Sequence, residues 1–278
     1  MHQLKCYFNG EYLPLEAAGF PVGDLGVQRG YGIFDFLRVT HGVPLFIDDH
    51  LQRFYASALK MRLEVGLPAE RLKPAIFELL RQNQLADAGV RILLTGGISP
   101  DGYQIIQPNL AIIQLPLASP PDTLPAPYKL VTHSYQREMP EIKTTNYLQA
   151  VWLYPWMKEQ GADDVLYQRN GIISECPRSN FFIVTENGKI ATPANNILKG
   201  ITRKQLLRLA ADHGIAIEER DVSVEELRSV KEAFITSSTK RIIPVKQVDD
   251  IMLNTYTTSN QLFHLLLNHE KTLSGPSV

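Results

Sequence analysis

Lys143, in Glu141-Ile142-Lys143-Thr144-Thr145-Asn146-Tyr147-Leu148, follows an apolar residue and precedes small polar residues and an apolar helical pattern. That placement lets a lysine enter a site from an element boundary, although most lysines are simply solvated. Four other segments carry complementary chemistry. Arg53, in His50-Leu51-Gln52-Arg53-Phe54, is either a surface arginine beside an apolar stripe or a guanidinium aimed at a phosphate. Gly200-Ile201-Thr202-Arg203 pairs a glycine that permits close backbone approach with a helix start, whose N–H groups favour an anion. The plain alternative there is a helix capped by Thr202. Ser237-Ser238-Thr239 sets three hydroxyls after an apolar strand, suited to phosphate oxygens or to a turn. Glu175 lies between two apolar strand segments, where burial is costly unless the carboxylate meets a positive charge. A cofactor's protonated ring nitrogen would supply that charge; the alternative is an ordinary turn carboxylate, with Arg178 as a candidate partner. No Walker-type glycine loop precedes Lys-Ser/Thr, which disfavours nucleoside triphosphates.

The elements that must position these groups fall on either side of a proline-crowded stretch, Leu115 to Pro127, which cannot hold a helix. Before it, Leu4–Phe8 and Tyr12–Leu15 flank Asn9-Gly10, a strong hairpin signal. Ile33–Thr40 and Val43–Ile47 flank His41-Gly42, with Pro44 suited to an edge strand. Asp48 or Asp49 is expected to cap a helix carrying Leu51, Phe54, Tyr55, Ala58 and Leu59, and Leu72 to Leu85 reads as a second helix. Val90–Leu94 and Leu110–Leu115 complete an α+β half with a mostly antiparallel sheet. After the divide, strands are expected at Lys129–Thr132, Asp164–Gln168, Asn180–Val184, Lys189–Ala191, Ile215–Ile217, Ala233–Thr236 and Ile242–Val245. Helices are expected at Tyr147–Met157, Arg203 to Asp212 and Thr257 to Leu267. This alternation does not resemble a doubly wound parallel sheet. The domains are therefore read as 1–118, a linker at 119–127, and 128–278.

The chain has 278 residues, 44% hydrophobic and 21% charged, which is the profile of a globular protein with a sizeable core. A net charge of -1 removes the electrostatic argument for nucleic acid or acidic membranes. No apolar run approaches the ~20 residues needed to span a bilayer, and the start, Met1 to Cys6, has no signal-peptide stretch. Cys6 and Cys176 are far apart, without metal spacing or a disulfide framework, so no metal is expected. A cytoplasmic protein is the expectation.

Taken in order, these segments resemble the fold-type IV pyridoxal phosphate enzymes, the class IV aminotransferases that include branched-chain and D-amino acid aminotransferases and aminodeoxychorismate lyase. The resemblance runs through Arg29-Gly30-Tyr31-Gly32-Ile33-Phe34-Asp35, His50-Leu51-Gln52-Arg53, Ile142 to Leu148, Ser174-Glu175 with Ser179-Asn180-Phe181-Phe182, Leu198 to Arg203, and Thr236-Ser237-Ser238 before Ile243-Pro244-Val245. Six segments in the family's order span more than 200 residues. The resemblance implies an α+β, two-domain fold: a smaller N-terminal α/β sandwich, a larger C-terminal pseudo-barrel, and a pyridoxal 5'-phosphate site between them. It casts Lys143 as the Schiff-base lysine and proton shuttle, with its amine neutralised by a depressed pKa beside the cationic cofactor. Glu175 resembles the partner of the pyridine nitrogen. Arg53, the backbone at Ile201 and Thr202, and the hydroxyls of Ser237 and Ser238 resemble the phosphate cup. Tyr147 resembles a residue near the ring hydroxyl, although its spacing from the lysine is one residue shorter than in branched-chain enzymes, as in the D-amino acid branch. Lys199 and Lys240 lie in matched segments but not at the Schiff-base position.

Phe34-Asp35 falls where both aminotransferase branches carry an aromatic residue and an acid, and phenylalanine leans toward the branched-chain type. The loop Ser99-Pro100-Asp101-Gly102-Tyr103 has an acid where the D-specific branch carries arginine. The resemblance therefore implies that Phe34, Arg91, Tyr103 and Thr239 contact substrate, with Tyr103 or Asp101 reaching across a homodimer interface. The implied activity is ping-pong transfer of an amino group between a hydrophobic, branched-chain-like amino acid and 2-oxoglutarate. The alternatives are a lyase releasing pyruvate from aminodeoxychorismate, a D-amino acid aminotransferase, and a cofactor-binding protein without turnover.

Overall fold

The computed structural model describes residues 3–274. Met1 and His2, at the start read above for a signal-peptide stretch, lie outside them. The chain forms two compact units: Met1–Ser119 with Ile142–Asn146 and Thr272–Val278, and Pro120–Glu141 with Tyr147–Lys271. The segment bearing Lys143 thus belongs to the first unit, although it lies far beyond the proline-rich stretch in sequence.

The first unit contains β1 (Lys5–Phe8), β2 (Glu11–Pro14), α1 (Leu25–Arg29), β3 (Gly32–Thr40), β4 (Val43–Pro44), α2 (Ile47–Lys60), α3 (Ala69–Asn83), β5 (Ala88–Thr95) and β6 (Asn109–Pro116). Its sheet runs β2-β1-β6-β5-β3-β4 and is antiparallel throughout. Asn9 and Gly10 take positive φ, as the first hairpin turn requires. The second hairpin is shorter than the expected Val43–Ile47. Pro44 has no N–H to continue a ladder, Phe46 turns into the left-handed region at φ 54, and the helix starts at Ile47. Neither Asp48 nor Asp49 is the cap. Both lie in the first turn of α2, where they favour the helix dipole. On β3, Ile33, Leu37 and Val39 face the apolar stripes of α2 and α3 in one core with Val90, Ile92 and Leu94 of β5. Strand alternation puts Asp35 on that same inward face, and Phe34 and Phe36 on the other.

The second unit contains β7 (Tyr128–Ser134), α4 (Leu148–Glu159), β8 (Asp164–Arg169), β9 (Ile172–Ile173), β10 (Glu175–Cys176), β11 (Ser179–Thr185), β12 (Ile190–Thr192), α5 (Ile201–Asp212), β13 (Ile217–Glu219), β14 (Val222–Ser223), β15 (Val230–Ser237), β16 (Arg241–Val248), β17 (Ile251–Met252) and α6 (Thr257–Ser274). Its sheet runs β13-β12-β11-β15-β16-β7-β8-β9-β14, with β10 on β11 and β17 on β16. Three pairs are parallel, β12/β13, β16/β7 and β7/β8. The strands β11, β15 and β16 read as near-continuous apolar runs because both faces are covered. Phe181, Ile183, Ala233, Ile235, Ile243 and Val245 fill one side. Phe182, Val184, Phe234 and Ile242 meet α5 and α6 on the other, with the Phe182 and Phe234 rings stacked at 4.8 Å. The strand expected at Ile215–Ile217 starts at Ile217, because residues from His213 are still bonding to the last carbonyls of α5. No helix of the described residues is long and apolar enough to cross a membrane.

Candidate active site

Lys143 is presented by a short extended segment laid along the start of β3. Phe34 donates its N–H to the Lys143 carbonyl at 2.9 Å, Thr145 donates to Gly32 O at 2.9 Å, and Ile33 and Thr144 form the bridge between them. Alternation buries Ile142 in the core and turns Lys143 to the side of Phe34, whose ring centroid lies 4.6 Å from Nζ. Thr145 Oγ1 also donates to Gly30 O at 2.9 Å. A side chain at Gly32 would set a Cβ 2.9 Å from Leu94 O, so only glycine lets the three segments close. Arg91, exposed on β5, places Cζ 5.4 Å from the same Phe34 ring. Two cations thereby lie against one aromatic ring.

His50 and Arg53 sit one turn apart on α2, on the face packed against β3. Arg53 grips Asp35 bidentately, Nε to Oδ2 and Nη2 to Oδ1, both at 2.8 Å. His50 Nδ1 lies 2.6 Å from Asp35 Oδ1, and Asp35 is 0% exposed. Burial alone would raise the Asp35 carboxyl, but the charges of Arg53 and His50 and their hydrogen bonds outweigh it and hold the group well below the usual range. Burial pushes His50 down against the pull of Asp35, and the nearby charges of Arg53 and Lys143 add to the drop. The imidazole is therefore neutral near pH 7, and its Nδ1 hydrogen goes to the carboxylate, which can only accept. The acid next to Phe34 thus faces the core and anchors the arginine; it does not face substrate.

In the second unit, β10 pairs with β11 and sets Glu175 opposite Asn180. Glu175 is 4% exposed. Its Oε2 accepts from Leu198 N at 3.0 Å and Asn180 Nδ2 at 3.4 Å, and its Oε1 accepts from Arg137 Nη1 at 3.2 Å. The ion pair of Glu175 is with Arg137, brought in by a loop, and not with Arg178. Asn180 also donates to Leu198 O at 2.7 Å and accepts from Gly200 N at 3.2 Å.

Gly200 is the N-cap of α5, with no side chain capping the helix start. The helix begins two residues before the expected Arg203, so Ile201 and Thr202 lie in its first turn and Thr202 is not the cap. A Cβ on Gly200 would lie 2.2 Å from Asn180 Oδ1, so the glycine is what lets the carboxylate hairpin approach the helix end. Arg203 points elsewhere, to Pro193 O and Glu219. Asn180 is also paired with Thr236 on β15, which brings the following hydroxyls, Ser237 to Thr239, to this end of the sheet. All three are half-buried, Ser237 at the end of β15 and Ser238 and Thr239 in the turn before β16, with the Ser237 and Thr239 hydroxyls 3.4 Å apart.

Tyr147 is half-buried at the N-cap of α4. Lys240 stacks on Tyr128 and donates to its hydroxyl, and Lys199 is exposed. Tyr103 is 83% exposed, whereas Asp101 closes its own loop by accepting from Tyr103 N and Gln104 N. Those backbone hydrogen bonds lower the Asp101 carboxyl. Asn180 and Arg137 had not been singled out. Asn180 stood in a matched segment but carries no charge, and Arg137 has no periodicity to mark it.

Within the second unit, a buried carboxylate and an uncapped helix start with a glycine where a Cβ would intrude fit a phosphorylated, nitrogen-bearing ring; the first unit carries the lysine. Comparison with known proteins points the same way. The family model for amino-transferase class IV matches residues 32–248. A putative branched-chain-amino-acid aminotransferase of Methanocaldococcus jannaschii is 31% identical over 262 residues, covering 90% of each chain. A D-alanine aminotransferase of Bacillus licheniformis is 29% identical over 251 residues, 88% of this chain and 89% of that one. The crystal structure of a branched-chain aminotransferase of Thermoproteus uzoniensis with norvaline superposes with a TM-score of 0.88 at 25% identity, over 98% of this chain and 97% of that one.

Proposed function

The chain belongs to the class IV aminotransferases, pyridoxal phosphate-dependent transaminases of fold type IV, and we propose that it moves an amino group between a hydrophobic, branched-chain-like amino acid and 2-oxoglutarate in ping-pong fashion. The observation that carries the site assignment is Asn180, which ties the buried Glu175 carboxylate to the uncapped start of α5. A carboxylate and an anion seat fastened to one amide match the two charged ends of pyridoxal phosphate. When bound, that cofactor supplies a conjugated pyridinium that draws electrons from the substrate Cα.

The chain's own residues do the rest. Glu175 holds the proton on the ring nitrogen, and Arg137 offsets the cost of its burial. Arg53, the N–H groups of Ile201 and Thr202, and the hydroxyls of Ser237 and Ser238 hold the phosphate. Tyr147 orients the ring hydroxyl. Lys143 Nζ takes the proton from Cα and returns it, and its backbone hydrogen bonds to β3 fix where it can reach. Arg91 takes a substrate carboxylate, Phe34 packs on the apolar side chain, and Thr239 and Tyr103 complete the substrate contacts.

A second copy of the chain is the proposed partner, and Tyr103 acts in its site. On α4, Leu148, Val151 and Trp152 form a helical stripe that is 76%, 70% and 68% exposed, an apolar face suited to a homodimer. A second reading, with D-amino acids as donors, draws support from the Bacillus licheniformis relative and from the Lys143–Tyr147 spacing.

The test follows the cofactor's visible band while L-leucine, D-leucine, D-alanine or aminodeoxychorismate is added separately. Bleaching by L-leucine, with recovery on adding 2-oxoglutarate, is the expected result. Bleaching by the D-amino acids alone selects the second reading. Pyruvate released from aminodeoxychorismate without an amino acceptor overturns both.

A further inference from the structure

Asp35 is the most completely engaged carboxylate of the first unit, and what engages it is the arginine assigned above to the phosphate. Its oxygens accept from four donors: Arg53 Nε on Oδ2, and Arg53 Nη2, His50 Nδ1 and Phe36 N on Oδ1. Asp35 is fully buried, so it is out of reach of a ligand. What it can do is fix its donors. Arginine has a long side chain with many rotamers, and a bidentate grip on one edge sets both the plane and the direction of the guanidinium. His50 steadies the carboxylate from the same helix face, one turn before Arg53.

The placement on β3 adds a second consequence. Asp35 follows Phe34, and Phe34 carries Lys143 through its ring and its N–H. Adjacent residues of one strand therefore anchor the arginine and the lysine on opposite faces. The distance between those anchors is set by the covalent chain.

We propose that Asp35 is a positioning residue that acts through Arg53 to set how tightly, and in what register with Lys143, the cofactor phosphate is held. This rests on the reading of Arg53 as a phosphate ligand. The test measures the affinity of the apo protein for pyridoxal 5'-phosphate and, separately, for pyridoxal, which lacks the phosphate. In Asp35→Asn the dissociation constant for pyridoxal phosphate is expected to rise by about tenfold or more, the scale of a charge-assisted hydrogen bond, while that for pyridoxal stays within twofold. Combining Asp35→Asn with Arg53→Lys should cost little more than either change alone, because one interaction is being removed twice. Equal loss of affinity for both compounds would mean general damage and overturn the proposal, as would an unchanged pyridoxal phosphate affinity or fully additive effects. Should Asp35→Asn fail to fold, Asp35→Glu keeps the charge and shifts the carboxylate by one methylene. A severalfold weaker phosphate-dependent affinity is then expected, and none at all refutes the idea. If the wild-type protein itself fails to prefer pyridoxal phosphate over pyridoxal, it is the functional reading that falls.

Discussion

Replacing Gly200 by alanine tests how the carboxylate and the anion seat are joined. The φ of -63 at Gly200 is open to any residue, so the backbone carries no penalty. The penalty is steric: the new Cβ falls 2.2 Å from Asn180 Oδ1, against an ordinary carbon–oxygen approach of about 3.3 Å or more. Asn180 must shift by roughly 1 Å, yet its amide nitrogen is already held by Leu198 O and Glu175. Losing the Gly200 and Leu198 bonds costs about 1 kcal/mol each, and weakening the bond to the charged Glu175 costs somewhat more. With partial relaxation we expect a loss of roughly 2–4 kcal/mol, a fall in Tm of roughly 5–15 °C for a unit of this size. The affinity for pyridoxal phosphate should fall by about tenfold or more as the first turn of α5 moves. Thermal unfolding and a titration of the apo protein read the two effects. Gly214→Ala is the control: φ is +73 with nothing within 4 Å of a Cβ, so only backbone strain of about 1 kcal/mol is expected. A Gly200→Ala protein as stable as wild type, with unchanged cofactor affinity, would refute the reasoning.

Lys143→Ala should lower turnover by about 10²–10⁴-fold or more and leave unfolding within about 1 kcal/mol of wild type, since the segment is fastened through its backbone; normal turnover would remove Lys143 from the site. Arg241→Ala strips the buried Glu270 carboxylate of a 2.6 Å charged partner, and Pro120 and Pro121 of a shared donor. A loss of about 3–5 kcal/mol in urea unfolding is expected. Acid should destabilise the first unit in two stages, because both His50 and Asp35 are depressed in the fold. Each contributes stability that is present above its unfolded pKa and lost as pH falls toward its folded one. The decline should begin near pH 6.5, through His50, and steepen below about pH 4, through Asp35. In Asp35→Asn the lower stage should flatten, and an unchanged profile would contradict the assignment.

Much of this was legible in the residues. Alternation on β3, the helical stripe of α2 and the Asn9-Gly10 turn are local patterns that burial rewards directly, so the α+β class and most elements followed from them. The candidate site was legible as a set of residue types: a lysine, an arginine, an acid, a glycine before a helix, and a run of hydroxyls. Their chemistry is intrinsic to the side chains and survives without coordinates. What only the tertiary structure decided is who holds whom. Asp35 is a buried counter-ion for Arg53, because β3 pairs with β5 in a register that turns it toward α2. Arg137 supplies the partner of Glu175, and Asn180 ties that carboxylate to Gly200. Lys143 packs with residues more than a hundred positions earlier. Such pairings have no local signature, since they depend on chain closure and strand register, and a one-residue slip of β3 would turn Asp35 away from Arg53 to the opposite face.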